Sequence, residues 1–147
     1  MEDYDYSDPV AGMIKLGKPE DLKGWLDYQD LGIRREHIPD LIRLVLDKRL
    51  TSSDVNDSAL WAGVHAWRAL GHLEAEDATE PLIQLFAWID AKDDDWVLEE
   101  LPVVFGMIGR SAIPLLADYL ADQEHALFGR IAAAHALSEI GGREAEA

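Results

Sequence analysis

A short helical segment recurs three times in this chain, and the recurrence limits the folds that the chain can adopt. The three copies are Ala69–Leu73, Val104–Ile108 and Ala136–Ile140, which begin 35 and then 32 residues apart. Each copy mixes small residues with large apolar ones, so that paired helices can approach closely while the large side chains fill the gap between them. Spacings of about 20 to 50 residues are typical of stacked supersecondary units. The sequence therefore predicts an array of helical hairpins.

Apolar residues at intervals of three and four positions predict the individual helices of this array. An opening helix is expected from Pro19, with Leu22, Trp25 and Leu26 on one face. The further helices are expected at about residues 35–48, 58–73, 76–89, 94–108, 111–120 and 127–140. No stretch alternates convincingly between apolar and polar residues, so we predict no sheet and an all-α fold.

Glycine at two of the repeated helix ends indicates how these helices stop. Gly109 and Gly141 directly follow the second and third copies, where a left-handed C-terminal cap favours glycine. Glu74 takes the corresponding place after the first copy. We therefore expect the first of these turns to be built differently.

An excess of acidic residues narrows the classes of partner. The 147 residues include 29 Asp and Glu against 13 Lys and Arg, a formal net charge of -16, and 48% are hydrophobic, which is enough for a core. Nucleic acids and anionic membranes both attract basic surfaces, so we expect neither as a partner. The chain has no cysteine, which excludes disulfides and thiolate chemistry. Its acidic start lacks the basic and apolar regions of a secretory signal, so we expect a soluble protein of the cytoplasm.

Two pairs of segments resemble known repeat families. Arg130–Gly141, together with Ile108–Leu116, resembles the short HEAT-like repeat of phycobilisome bilin lyases. Glu36–Ile42 and Trp61–Gly71 are similar to a group of uncharacterised bacterial proteins, in which HEAT-like repeats precede a Cys- and His-containing SEC-C motif that this sequence lacks. The resemblance covers about residues 19–141. It implies a right-handed α-α superhelix, or solenoid, of about seven helices.

The domain organisation follows from composition and from this resemblance. Residues 1–12 carry four acidic residues and no sustained apolar period, so we expect an acidic flexible tail there. Residues 13–147 are then expected to form a single HEAT-like repeat domain. Because the sequence ends after the first helix of a pair, we expect a truncated array whose flank near Ala132 and Leu137 is exposed or occupied by another chain.

One face of the predicted helix at residues 58–73 is the first candidate binding site. The residues at offsets of four, seven and eleven along this face are Trp61, His65, Arg68 and His72. Such a stripe could contact a partner. In the alternative, which we favour, Trp61 packs against the neighbouring repeat while the histidines and Arg68 are solvated or cap helix ends.

The densest acidic cluster could bind a metal ion, but we interpret it as structural. Asp93–Asp95 is followed closely by Glu99 and Glu100. The glycine and the alternating ligands of a calcium loop are missing, and carboxylates are stabilising at a helix N-terminus in any case. We therefore expect a helix cap and a solvated face.

Two acid-histidine pairs are further candidates for metal ligands. Glu36-His37 and Glu124-His125 reverse the His-Glu order that HEAT-like di-iron hydroxylases repeat, and they are 88 positions apart. We expect surface or capping roles for both pairs, and a packed or exposed side chain at His135. No phosphate-binding loop, nucleophile elbow or metalloprotease helix is present in the sequence, so we predict no catalytic residue, no metal and no cofactor.

The resemblance points to one face as the partner surface, because the second helices of HEAT-like pairs usually line the concave side. The residues at such positions, including one tryptophan as an anchor, are Asp40, Arg43, Asp47, Glu80, Gln84, Asp118 and Trp88. An acidic groove suits a basic peptide or protein. We therefore predict a non-catalytic protein-interaction or scaffold module. Two alternatives stay open: an enzyme or enzyme accessory of the bilin-lyase type, and a solenoid that self-associates through its C-terminal end near Ile131 and Leu137.

Overall fold

The protein is built from helices in every part that its structure describes. The structure is a computed structural model and describes residues 6–19, 25–47, 61–92 and 94–146. These residues contain no strand, which confirms the predicted all-α fold class. The chain divides into two compact units, an N-terminal unit (Met1–Leu73) and a C-terminal unit (Glu74–Ala147). The superhelical arrangement and the single repeat domain stay predictions.

Two α-helices pack against each other in the N-terminal unit: α1 (Ile38–Val45) and α2 (Ala62–His72). A 3₁₀ turn, Arg35–His37, leads into α1. The ring nitrogen Nδ1 of His37 accepts a hydrogen bond from the backbone N–H of Arg34 at 2.8 Å. The predicted second helix is therefore confirmed, with its first turn tightened into 3₁₀ geometry.

The segment predicted as an acidic tail is packed in the part that the structure describes. Tyr6 and Val10 are buried, and a 3₁₀ helix (Ala11–Lys15) follows directly. These two apolar anchors account for the packing of residues 6–12, because burying them offsets the cost of ordering an otherwise polar stretch. Residues 1–5 lie outside the described residues.

The predicted opening helix is not present at Trp25 and Leu26, whose backbone is not helical. A short 3₁₀ helix, Tyr28–Leu31, forms instead, and Asp27 caps it by accepting a backbone hydrogen bond at 3.0 Å. Local capping therefore outweighs the apolar period at these positions. Leu22 lies outside the described residues.

The C-terminal unit contains five α-helices among its described residues. They are α3 (Thr79–Ile83), α4 (Phe86–Lys92), α5 (Asp95–Ile108), α6 (Ile113–Ala121) and α7 (Leu127–Glu146). The last helix packs most extensively on α5 and also on α4 and α6. Its buried alanines, Ala132, Ala133 and Ala136, permit this close approach.

The rings of three aromatic residues form the centre of this unit. Phe86 lies edge-on to Phe105 at 5.6 Å and to Tyr119 at 5.4 Å between ring centroids. Edge-to-face rings at such distances are favourable beyond the area that they bury. They join α4, α5 and α6.

In the C-terminal unit, some helix boundaries agree with those predicted from the sequence and others differ. The predicted helix at 94–108 is confirmed. The predicted helix at 76–89 is wrong as a continuous element, because a turn at Gln84 and Leu85 separates α3 from α4. The predicted cap at Gly141 is also wrong, since α7 continues to Glu146. The residues after Gly141 include Arg, Glu and Ala, which favour helix propagation.

No single helix in the described part of the chain is long and apolar enough to cross a membrane. The pair formed by α5 and Arg110–Ala121 passes on length and composition, but it bends by 115° at the break between them.

Candidate functional site

His65 lies inside the N-terminal unit, and both of its ring nitrogens are hydrogen-bonded. Its Nε2 lies 2.8 Å from the carbonyl oxygen of Gly17, and its Nδ1 lies 2.7 Å from the hydroxyl of Tyr28. Because a carbonyl oxygen can only accept, Nε2 donates, and in the neutral ring the Tyr28 hydroxyl donates to Nδ1. Gly17 and Tyr28 are thereby tied to α2.

The next residues on this face of α2 are covered by Trp25. Arg68 is fully buried, and its guanidinium carbon lies 4.7 Å from the centroid of the Trp25 ring. The His72 ring lies 5.6 Å from that of Trp25 and 5.7 Å from that of Tyr28. Burial lowers the pKa of His72 below its ordinary value; the carboxylate of Asp27 opposes this shift, and the charge of Arg68 adds to it.

The candidate stripe on α2 is therefore largely internal. The interpretation of His65 and Arg68 as solvated side chains is wrong, because both are buried. The segment before α1 covers them with Gly17, Trp25 and Tyr28. Trp61 is half-buried, with the Lys18 ammonium 6.0 Å from its ring centroid. A binding role for the stripe stays a prediction, and it would require this segment to move. Sequence reasoning missed the covering residues because they lie 37 and 48 positions away from His65.

Three of the predicted partner-surface residues lie on or just after α1. Arg43 forms an ion pair with Asp40 at 3.5 Å, and its guanidinium carbon lies 4.2 Å from the centroid of the Tyr6 ring. The Tyr6 hydroxyl donates a hydrogen bond to Asp47 at 2.8 Å. These polar groups thus hold the N-terminal segment, which already occupies part of the surface that they were predicted to offer to a partner.

The other predicted partner-surface residues belong to the C-terminal unit. Glu80 is exposed in the first turn of α3 and Gln84 directly after α3, Asp118 is exposed on α6, and Trp88 on α4 is half-buried. A partner could reach the three polar side chains. They lie on or beside two separate helices, α3 and α6.

The acidic cluster before α5 acts as a helix cap. The side chain of Asp94 accepts a hydrogen bond from the backbone N–H of Val97 at 3.1 Å, which confirms the expected cap. Glu100 is buried, so the expected solvated face is wrong at this residue, and Asp93 lies outside the described residues. Within the described ranges, no three His, Asp or Glu side chains are arranged to hold a metal ion.

The histidines of the C-terminal unit have structural or exposed positions. His125 stacks flat on Tyr119 with 3.7 Å between ring centroids, and its Nε2 lies 3.6 Å from Asp122. Burial raises the pKa of Tyr119, and the charges of Asp90 and Asp122 raise it further. His135, expected to be packed or exposed, is exposed, with Nε2 3.6 Å from Glu139.

An exposed apolar row at the start of α7 is the feature of the C-terminal unit best suited to binding. This α7 row consists of Leu127, Phe128 and Ile131, which expose 61%, 49% and 45% of their surface. Their spacing of three and four positions places them together on one helix face. Sequence reasoning identified Ile131 but missed Leu127 and Phe128. Of the flank expected to be exposed or occupied by another chain, Ala132 is buried within the unit and Leu137 is half-buried.

Acidic groups lie beside this row. Asp122 and Glu124 are exposed in the turn before α7. The carboxylate of Asp90 accepts hydrogen bonds from the backbone N–H groups of Phe128 at 3.3 Å and Gly129 at 3.0 Å, and so caps the helix from α4.

The net charge of the protein is concentrated in the same unit. Residues 74–147 contain 16 acidic and 4 basic residues, a formal charge of -12, whereas residues 1–73 contain 13 and 9, a charge of -4. The electrostatic potential around the α7 row is therefore expected to be negative.

Comparison with protein-family models, with curated proteins and with solved structures gives no match to this chain. The HEAT-like resemblance accordingly stays a prediction, and functional inference rests on the residues themselves.

Proposed function

We propose that this protein is a non-catalytic protein-binding module whose partner docks on the acidic C-terminal unit. The observation that carries the proposal is the α7 row, because three large apolar side chains expose about half their surface side by side on one helix. Clustered exposure of this kind marks interaction sites more often than isolated apolar residues do.

The size of the row limits what it can contribute to binding. Full burial of one such side chain stabilises by roughly 1.5–3 kcal/mol, so burying the exposed halves of three would contribute about 2–5 kcal/mol. A micromolar complex requires about 8 kcal/mol. The remainder must come from other contacts, and the surrounding carboxylates are the groups available for them. Electrostatic attraction to a basic partner would also accelerate association.

Native mass spectrometry tests this proposal. The full chain is enriched together with its interactors from a lysate of the source cells and compared with the purified chain, at about 50 mM and 200 mM salt. We expect a stoichiometric protein partner that is retained at low salt and depleted at the higher salt. A bound small molecule or metal without any protein partner would contradict the proposal and favour a ligand carrier or an enzyme.

A further inference from the structure

We infer that the segment which docks on the α7 row is a basic amphipathic helix of the partner protein. This inference rests on the proposed function and adds the surface and the chemistry of its occupant.

The charge of the C-terminal unit favours a basic occupant over a second copy of this chain. In a symmetric contact between two α7 rows, the same patch of each copy faces the other. Such a contact would bring together two units that each carry a formal charge of -12, with Asp122 and Glu124 near the interface on both sides. A Lys- or Arg-bearing segment meets the same carboxylates with attraction instead of repulsion.

In the sequence, a carboxylate lies on each side of the row, one in the turn before α7 and one within α7. Glu124 precedes Leu127 by three residues, and Glu139 follows Ile131 by eight, or about 12 Å along the axis at about 1.5 Å per residue. Both Ile131 and Glu139 share a face, since their separation is close to two helical turns. An apolar centre between two acidic ends is complementary to a helix with apolar residues in its middle and basic residues beyond them.

A helix is the element that fits this surface. The described residues contain no strand, so the described part of the chain offers no sheet edge to which an extended peptide could add. A partner helix can instead place its residues at i, i+3, i+4 and i+7 against the ridge formed by Leu127 and Ile131.

A designed peptide supplies the probe for a binding test. The probe is an 18-residue fluorescent peptide with leucine at three- and four-residue spacing on one face and lysine on the other. One control peptide has the same residues reordered so that no apolar face forms, and a second has glutamate in place of lysine. Anisotropy titrations use the full chain and three variants: Leu127→Ser, Ile131→Ser and Leu31→Ser. The last is the matched control, since Leu31 exposes 45% of its surface, as Ile131 does, but lies in the N-terminal unit.

The inference predicts saturable binding of the probe that Leu127→Ser and Ile131→Ser each weaken about three- to tenfold, as expected for losing the burial of half of one such side chain. The Leu31→Ser chain should bind as the unchanged chain does, and both control peptides should bind at least tenfold more weakly than the probe. Equal binding by the reordered peptide, or binding that neither α7 variant weakens, would overturn the inference. A dimer of the free chain that Ile131→Ser dissociates and Leu31→Ser preserves would also overturn it, because the occupant would then be a second copy.

Failure of this inference is distinguishable from failure of the proposed function. If the Ile131→Ser chain still retains a native protein partner, the α7 row is not the binding surface, but the proposed protein-binding function is unaffected. Absence of any protein partner would end the proposed function itself.

Discussion

Single residues with unusual surroundings define the N-terminal unit. His65 replaces its water contacts with Gly17 and Tyr28, and Arg68 lies beneath the ring of Trp25. A polar group that is buried with its hydrogen bonds made costs little, whereas losing one partner leaves the other unsatisfied and costs about 1–3 kcal/mol. These residues therefore specify how the loop segment packs on α2, which is a structural role.

Glu74 is a residue at which a single substitution should stabilise the protein. Its φ of 53° lies in the left-handed region, which costs a residue with a Cβ about 1–2 kcal/mol and costs glycine little. We expect Glu74→Gly to raise the free energy of unfolding by about 0.5–1 kcal/mol, measured by urea denaturation.

The control for this prediction is the reverse exchange at Gly109, whose φ is 94° and ψ -157°. Gly109→Ala should lower stability by about 1–3 kcal/mol, because this region of backbone space is open essentially to glycine alone. If Glu74→Gly destabilised the chain as much as Gly109→Ala, the left-handed backbone at Glu74 would be refuted.

The lowered pKa of His72 predicts a loss of stability in mild acid. The folded state binds a proton here less readily than the unfolded state, whose pKa is about 6.5. Above pH 6.5, His72 does not lower the free energy of unfolding. The loss of free energy grows as the pH falls below 6.5 and is complete below the lowered pKa of the folded state. Urea denaturation between about pH 7.5 and 5.5 should therefore show a steeper loss for the unchanged chain than for His72→Gln. Parallel pH profiles for the two chains would contradict the burial of His72.

At the scale of elements, α7 depends on one close contact near its start. A Cβ added at Gly129 would lie 2.8 Å from the Tyr119 hydroxyl oxygen and 3.1 Å from the Phe86 carbonyl oxygen. The backbone oxygen cannot move freely. At Gly129, therefore, the packing of α7 against α4 and α6 leaves no room for a Cβ.

Gly129→Ala should destabilise the protein by about 1–3 kcal/mol, because overpacking forces neighbouring groups to shift. Gly141→Ala is the matched control within the same helix, since no atom lies within 4 Å of an added Cβ there. That exchange should stabilise by about 0.5–1 kcal/mol through helix propensity. Thermal unfolding of both variants measures the contrast. Equal effects at the two positions would argue against the packing of α7 described above.

The sequence predicted those elements whose signals are local. The helix at Asp95–Ile108 has its capping residue, Asp94, directly before an apolar run, and both features are visible in the sequence. The break between α3 and α4 carries no glycine or proline at Gln84 and Leu85, so periodicity alone extended one helix across it. The continuation of α7 past Gly141 shows the converse, because a favourable cap residue does not force a helix to end.

At the scale of the whole molecule, the proposal of a basic partner rests on the uneven distribution of charge. The formal charge of -12 in residues 74–147 lies in the same unit as the α7 row, while the more balanced N-terminal unit carries -4. The net charge and its implication for a basic partner could be predicted from the sequence. The covering of His65 and Arg68 could not, because it depends on residues from distant parts of the chain whose contacts form only in the folded unit. The same holds for the exposure of Leu127 and Phe128.

Hydroxyl-radical footprinting of the complex with the captured partner tests the central claim most directly, because it reports the solvent access of individual side chains. Leu127, Phe128 and Ile131 should be oxidised in the free chain and protected at saturating partner, while Leu31 should be oxidised equally in both. Protection confined to the surroundings of Asp40, Arg43 and Asp47, with the α7 row unchanged, would contradict the account and move the partner surface to α1.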